Sequence, residues 1–434
     1  MSLFLISFFA IVGIIASRLI FKFWFNHLAV YTFVWGGMLF LYELRLLDYY
    51  DIKPEAWFVI IIAYLIFFIG SITPLLLYKT GRTTNKLTNS FSALFADGGK
   101  SFGLILYIIG FISLAAALWN WYVLFHLYGS LVKILLSANE IYRMRVDSEI
   151  PGLLPYMGGF GYAGLILAGI YTVYKGKITF AASILLIAVI LRDMSNFARI
   201  GILISFIIFI CSLFLYKNYS KTSFSTNKLK MILVFIVAVV LIVVSASIVR
   251  LFRGSYETYK GSKTELSEFK GNLIISPSIY LYLSAHIGVF SKYLDLESEH
   301  TRFGENTLEP VYNFLAKFHL AEKVPFHQKG YYIPMWTNSS TYLRELHADF
   351  GYLGFFIGPY LLSFITSIFF IRFFRNGNIY DFIILTSLFA IVTLTFFSLI
   401  IRSPDLYFAI AILYVVIPII KKSAHNKSLI IKKV

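Results

Sequence analysis

Eleven separate runs of mainly apolar residues, each about as long as a bilayer is thick, leave this chain few ways to fold. Crossing the hydrocarbon takes a helix of roughly 17–25 such residues. Backbone polar groups in lipid must bond within their own segment, so each run reads as one helix. The runs fall near 3–21, 23–42, 56–78, 102–126, 151–174, 178–191, 200–216, 231–249, 350–371, 382–401 and 406–420. Composition agrees, with 59% hydrophobic and 14% charged residues, against about 45–50% and ~25% in ordinary globular chains. The expected class is therefore an all-α polytopic membrane protein with about 11 transmembrane helices and one large outer loop. A soluble enzyme, a secreted disulfide scaffold and a disordered tail are excluded. The single cysteine, Cys211, lies inside an apolar run and has no partner for a disulfide or a thiolate metal site. No basic segment precedes the first run and no small-residue cleavage site ends it, so a cleavable signal peptide is not expected.

The net charge of +16 suggests nucleic acid until its distribution is examined. Segments 18–22, 79–100, 175–177, 217–230, 372–381 and 421–434 alternate with the others along the chain and carry 19 basic residues, with only Asp97 and Asp381 as acids. The short loops of the opposite set carry 8 basic and 9 acidic residues, and Arg250 to Asp349 balances 11 against 11. Cytoplasmic loops hold the Lys and Arg excess, so the first set is expected inside. That puts the N-terminus outside and the C-terminus inside, and turns the basic surface into a matter of topology and lipid contact. Nucleic acid is not an expected partner. The organisation is helices over 1–250, a large outer loop at 251–348, helices over 349–420 and a basic inner tail at 421–434. The charge-free stretch 272–291 contains Pro277 and His286, and reads as a re-entrant or interfacial helix.

The loop of about a hundred residues holds five of the eight histidines and many aromatic rings, among them Tyr280, Tyr293, Phe303, Tyr331, Tyr332, Trp336 and Tyr342. Long loops are uncommon unless functional, and such rings offer flat faces to sugar C–H groups. An interfacial aromatic belt is the plainer account of any one ring. Ionisable groups at membrane depth are costly and point to function. Arg199 opens the seventh run, while Arg250 and Arg253 follow the eighth. Arginine holds phosphate oxygens with a planar fork, so these three are candidates to bind a diphosphate. For an isolated arginine the competing account is a snorkelling anchor. The turn after the short sixth run carries Arg192, Asp193 and Arg199, which reads as a tight outer hairpin dipping into the membrane. Before the ninth run, Arg344, Glu345, His347 and Asp349 gather within six residues. His347 has the ordinary pKa of ~6.5 suited to accepting a proton near neutrality. Asp349 has two readings, a helix N-terminal cap and a ligand for a substrate hydroxyl. Walker loops, paired metal-binding histidines, nucleophile elbows and Cys/His ligand spacings are missing from the sequence. The glycines at 158, 159, 161 and 164 lie within a run, where small residues permit close helix packing.

Several strings together resemble one family. They are the Arg199 hairpin, the loop after the eighth run, Phe303-Gly304-Glu305-Asn306-Thr307-Leu308-Glu309-Pro310, and the return from Thr337 through Arg344 to Asp349-Phe350-Gly351-Tyr352-Leu353-Gly354. These resemble the O-antigen polymerases, the Wzy-type oligosaccharide repeat-unit polymerases. The hydropathy plan is similar throughout, while residue-level likeness is confined to about 192–200 and 250–360. His347 departs from the pattern, which has an aromatic residue there. The resemblance implies a metal- and ATP-independent membrane glycosyltransferase of GT-C type, with no cofactor, in a bacterial inner membrane. It would transfer a growing glycan from undecaprenyl diphosphate to the next carrier-linked repeat unit at the periplasmic face. A chain-length regulator and a flippase would be partners. His347, then Glu305, then Glu345 would serve as base. Arg199, Arg250 and Arg253 would hold the diphosphate, with Asn306, Tyr342, Arg344 and Asp349 on the sugars. An O-antigen ligase shares this plan. A lipid-linked oligosaccharide flippase is the competing non-enzyme, although transport folds place polar residues in broken helices at the midplane and show internal repeats.

Overall fold

The computed structural model describes residues 3–77, 90–146, 149–197, 200–220, 277–296, 300–325 and 328–431. It is built almost wholly of helices, with one two-residue β-ribbon pairing Tyr331–Tyr332 and Trp336–Thr337. Among the described residues, six helices are long and apolar enough to cross a membrane. They lie at Leu3–Phe21, Pro54–Leu77, Lys100–Tyr128, Ile200–Ser220, Tyr342–Asn376 and Pro404–Ser428. The protein is therefore an all-α, membrane-embedded chain. The expected runs near 23–42, 151–174, 178–191 and 382–401 correspond to helices of 16 to 18 residues. The run at 231–249 lies outside the described residues.

The chain divides into two compact units. One comprises Met1–Gly81, Tyr256–Phe370 and Ile391–Ser403. Here the Pro277–Asp295 helix, read from sequence as re-entrant or interfacial, is enclosed by protein along most of its length. Its Tyr280 hydroxyl donates to the Leu41 carbonyl, and the Ser284 hydroxyl meets that of Tyr49 at 2.7 Å. The segment 43–55 is thus tied to the 277–333 region, and the Tyr50 amide donates to the Ile333 carbonyl at 3.3 Å.

The other unit comprises Arg82–Ser255, Ile371–Ala390 and Pro404–Val434. Gly158–Lys175 is its central helix, buried over nearly every residue. Its glycines explain the close packing: a Cβ at 161, 164 or 169 would fall 2.8, 2.3 or 2.5 Å from Val189, Leu185 or Ser212. The two ends of this unit differ in character. At one end Lys421 Nζ donates to Ser90 Oγ at 3.0 Å, Ser101 meets Ser423 at 2.9 Å and Lys175 Nζ donates to the Gly98 carbonyl at 3.3 Å. All belong to, or border, the basic loop set. At the other end Trp121 Nε1 donates to the Leu191 carbonyl at 2.9 Å and Arg192 reaches Asp405 at 3.4 Å. These groups border or belong to the opposite loop set.

Candidate functional site

The ninth apolar run does not begin directly from the loop. A short helix, Tyr342–Phe350, comes first, and all its residues from Tyr342 to Asp349 are buried. Its backbone stops where Gly351 takes φ +60°, a conformation that favours glycine. A Cβ on Gly354 would sit 2.2 Å from the Leu346 carbonyl oxygen, so glycine also permits the tight corner into Gly354–Asn376. Burying four ionisable side chains in two and a half turns is costly unless each finds partners. Helical spacing sends them in different directions, and each meets its own set.

Glu345 accepts four hydrogen bonds: Ser398 Oγ at 3.2 Å, Gln328 Nε2 at 3.1 Å, Arg402 Nη1 at 2.9 Å and the Leu399 amide. Arg402 is shared, because its Nε also pairs with Glu309. Two carboxylates and one guanidinium leave a local charge surplus, and burial accordingly raises the pKa of Glu309, against the lowering influence of Arg402. Residues 395–401 were expected to be the end of a membrane helix. Instead the helix ends at Leu394, because the following backbone serves this site. The Thr395 carbonyl receives the Tyr342 amide at 2.9 Å, while the Leu399 amide goes to Glu345.

Asp349 is the knot of the preceding loop. Its carboxylate accepts from Thr301 Oγ1 at 2.8 Å, the Asn306 amide and Asn306 Nδ2 at 2.9 Å each, and the Thr307 amide and hydroxyl at 2.7 Å each. Asp349 therefore stands in the last turn of a short helix rather than the first turn of a long one. The backbone amides it caps are those of the 301–307 turn. Glu305 lies in the same turn, held by Arg302 Nη2 at 3.0 Å, Arg302 Nε at 3.2 Å and the Arg302 amide at 2.9 Å. Those Arg302 contacts hold Glu305 below the usual carboxylate range.

His347 turns toward aromatic rings. Its Nδ1 lies 2.9 Å from the Tyr293 hydroxyl, and its ring stacks on Phe355 at 4.9 Å with Tyr352 edge-on at 5.1 Å. The other nitrogen, Nε2, is buried and has no hydrogen-bond partner among the described residues. Arg344 lies 5.1 Å from the centres of both the Tyr293 and Tyr331 rings, a cation–π arrangement. The Tyr342 hydroxyl meets that of Tyr31 at 3.0 Å, deep in the unit.

Among the residues singled out from sequence, Glu305, Asn306, Tyr342, Arg344, Glu345, His347 and Asp349 thus come together around one short helix. Arg199, Arg250 and Arg253 lie outside the described residues. Sequence reasoning passed over Arg402 and Gln328, and met Tyr293 only as one of many aromatic rings and Glu309 only as a member of the family-like string. Arg402 carried a usable signal, since a charge in a four-residue break between two apolar runs is as costly as Arg199. Gln328 gave none, being an ordinary polar residue of a long loop, and nothing in the string that holds Glu309 marked it as a partner of Arg402. No family model, no curated protein and no solved structure matches this chain.

Proposed function

We propose that the protein polymerises undecaprenyl-diphosphate-linked oligosaccharide repeat units by glycosyl transfer at the periplasmic face of a bacterial inner membrane. The reading includes eleven spans with the N-terminus periplasmic and the C-terminus cytoplasmic. The observation that carries it is the buried His347 Nε2. In the tautomer whose Nδ1–H donates to the Tyr293 oxygen, Nε2 carries the free lone pair, which is the arrangement of a general base. Tyr293 fixes the ring, and the helix that carries His347 belongs to one of the strings that resemble the polymerases, with the Phe303–Pro310 string bonded to it through Asp349.

The donor arrives activated as a diphosphate, so the chain need not supply ATP. Its tasks are to align two lipid-tailed substrates, remove the proton of the attacking sugar hydroxyl, and stabilise charge developing on the departing diphosphate. His347 takes the proton. Arg199, Arg250 and Arg253 take the diphosphate, with Arg344 and Asn306 on the sugars. Glu345 with Arg402, Glu305 with Arg302, and Asp349 are positioning residues, because their oxygens are already occupied by protein donors. A chain-length regulator and a flippase would work beside it.

The test is purified full-length protein in detergent, supplied only with a lipid-linked repeat unit. A ladder of products is expected, and its loss in a folded His347→Gln variant that still binds acceptor. Absence of any product from the wild-type chain overturns the reading. Product only on addition of a lipid A core would identify a ligase.

A further inference from the structure

We propose that a cavity in the second unit, built by Arg145 and Arg192, binds the phosphate group of a membrane-lipid headgroup. The cavity has a volume of about 270 Å³ and is lined among others by Asn120, Arg145, Gly158, Arg192, Asn196 and Asp405. One water needs only ~10–15 Å³, so a diphosphate or a headgroup with its first substituent can enter. Two of the charged lining groups are arginines and one is a carboxylate.

The two arginines differ in how they are held. Arg192 is fixed by the protein: Nη2 and Nε donate to Asp193 at 3.0 and 3.2 Å, and Nη1 donates to Asp405 at 3.4 Å. Gly158 leaves the room for this, since a Cβ there would stand 1.6 Å from Arg192 Nη1 and 2.1 Å from the Asp405 carboxylate. Arg145 makes no hydrogen bond or ion pair with any described residue and faces the same space. Burial lowers its pKa, with Asp193 and Asp405 acting in the opposite direction. A guanidinium stays protonated all the same, so its five donors remain available to a ligand.

The placement of Arg145 is not accidental. Ala138 and Ile141 are fully buried in the cluster that seats the Leu131–Leu136 and Ala138–Val146 helices on the end of the Lys100–Tyr128 helix. Arg145 follows at i+4 from Ile141 and i+7 from Ala138, the same inward face of the helix. An arginine on the apolar stripe of an amphipathic helix, aimed into a cavity beside a second, pre-set arginine, fits the planar, bidentate recognition of phosphate oxygens. The loops that supply it (127–150, 192–199 and the Asp405 turn) all belong to one sidedness class in the charge pattern, the level at which lipid headgroups lie.

The inference stands apart from the polymerase reading, because it uses neither His347 nor the long loop. The experiment titrates full-length protein in detergent with inorganic diphosphate, a short-chain polyprenyl diphosphate and phosphatidylglycerol, measuring heat of binding and ligand-induced thermal stabilisation. Saturable binding of at least one probe is expected, weakened about tenfold or more in Arg145→Gln and partly restored in Arg145→Lys. Preference for the polyprenyl diphosphate identifies the source as a lipid-linked carrier, and preference for phosphatidylglycerol identifies it as bulk lipid. Equal affinity of wild type and a folded Arg145→Gln for all three probes, or no binding by the wild type, overturns the proposal. Retained binding in a preparation that makes no polymer would remove the polymerase reading and leave this site standing.

Discussion

At the scale of single residues, the buried charges of the Tyr342–Phe350 helix are not equivalent, and their partners say which can be spared. Glu345 has four donors, while Glu309 has Arg402 and Asn313. Removing one partner of a buried pair leaves an uncompensated charge and typically costs ~3–5 kcal/mol. Glu345→Gln strips Arg402 of its better anchor and leaves the Leu399 amide facing a weaker acceptor, so a loss of about 3 kcal/mol is expected. Glu309→Gln instead removes the carboxylate with the fewer donors, and should cost under about 1 kcal/mol. Thermal unfolding of the two variants in one detergent checks this. A larger loss from Glu309→Gln would mean that Arg402 belongs chiefly to Glu309. The sign with pH follows from the same groups. Glu309, with its pKa raised, contributes stability that is present below the ordinary carboxylate range and lost as pH rises through its folded value. Glu305, with its pKa lowered, contributes stability above that range that is lost as pH falls.

At the scale of elements, close approach of helices is what the glycines of Gly158–Lys175 provide. At Gly169 the obstacle includes backbone: a Cβ there would meet Ser212 Cβ at 2.6 Å and the Leu213 backbone nitrogen at 2.9 Å. A side chain can rotate away, but a backbone nitrogen cannot. Gly169→Ala must therefore part the helices and strain the Ser212 hydroxyl bond to the Ile166 carbonyl, now 2.6 Å. Overpacking of this kind costs typically ~1–3 kcal/mol. A drop in the unfolding midpoint is expected, and an unchanged midpoint would show the contact to be soft. The apolar runs made most helices legible, because hydropathy alone decides them. Their ends were less so. The run at 382–401 conceals a break after Leu394, since the residues beyond it are as apolar as those before. Only the distant needs of Tyr342 and Glu345 call on their backbone. Likewise 151–157 precedes the helix that begins at Gly158, and Pro151, Gly152 and Pro155 were the signal for it. The cluster around His347 was legible as a concentration of charge. Its partners were not, because Arg402 and Tyr293 come from distant parts of the chain.

At the scale of the whole molecule, the charge pattern and the contacts within each unit are independent statements about sidedness. A chain that crosses the membrane at every helix brings only alternate loops together, and within each unit the loops that meet belong to one set. In the first unit Lys53 pairs with Asp295 at 3.3 Å and its amide reaches Ser291 at 2.9 Å, which joins two segments of the less basic set. In the second unit Lys421 and Ser90 border or belong to the basic set, while Arg192 and Asp405 belong to the other. Contacts give which loops share a face, and only the Lys and Arg excess gives which face is inside. A reporter that is active only in the cytoplasm, fused after Lys228 or Ser428, is expected to be active. Fused at Lys323 it is expected to be silent, with a periplasmic reporter giving the converse. Reversal at all three positions would keep the fold and invert the membrane orientation, which would place the His347 cluster away from any lipid-linked sugar presented at the periplasmic face. Reversal at Lys323 alone would instead mean that the chain between Lys228 and Lys323 crosses a different number of times. The span at 231–249 would then be absent, or Pro277–Asp295 would be a further one.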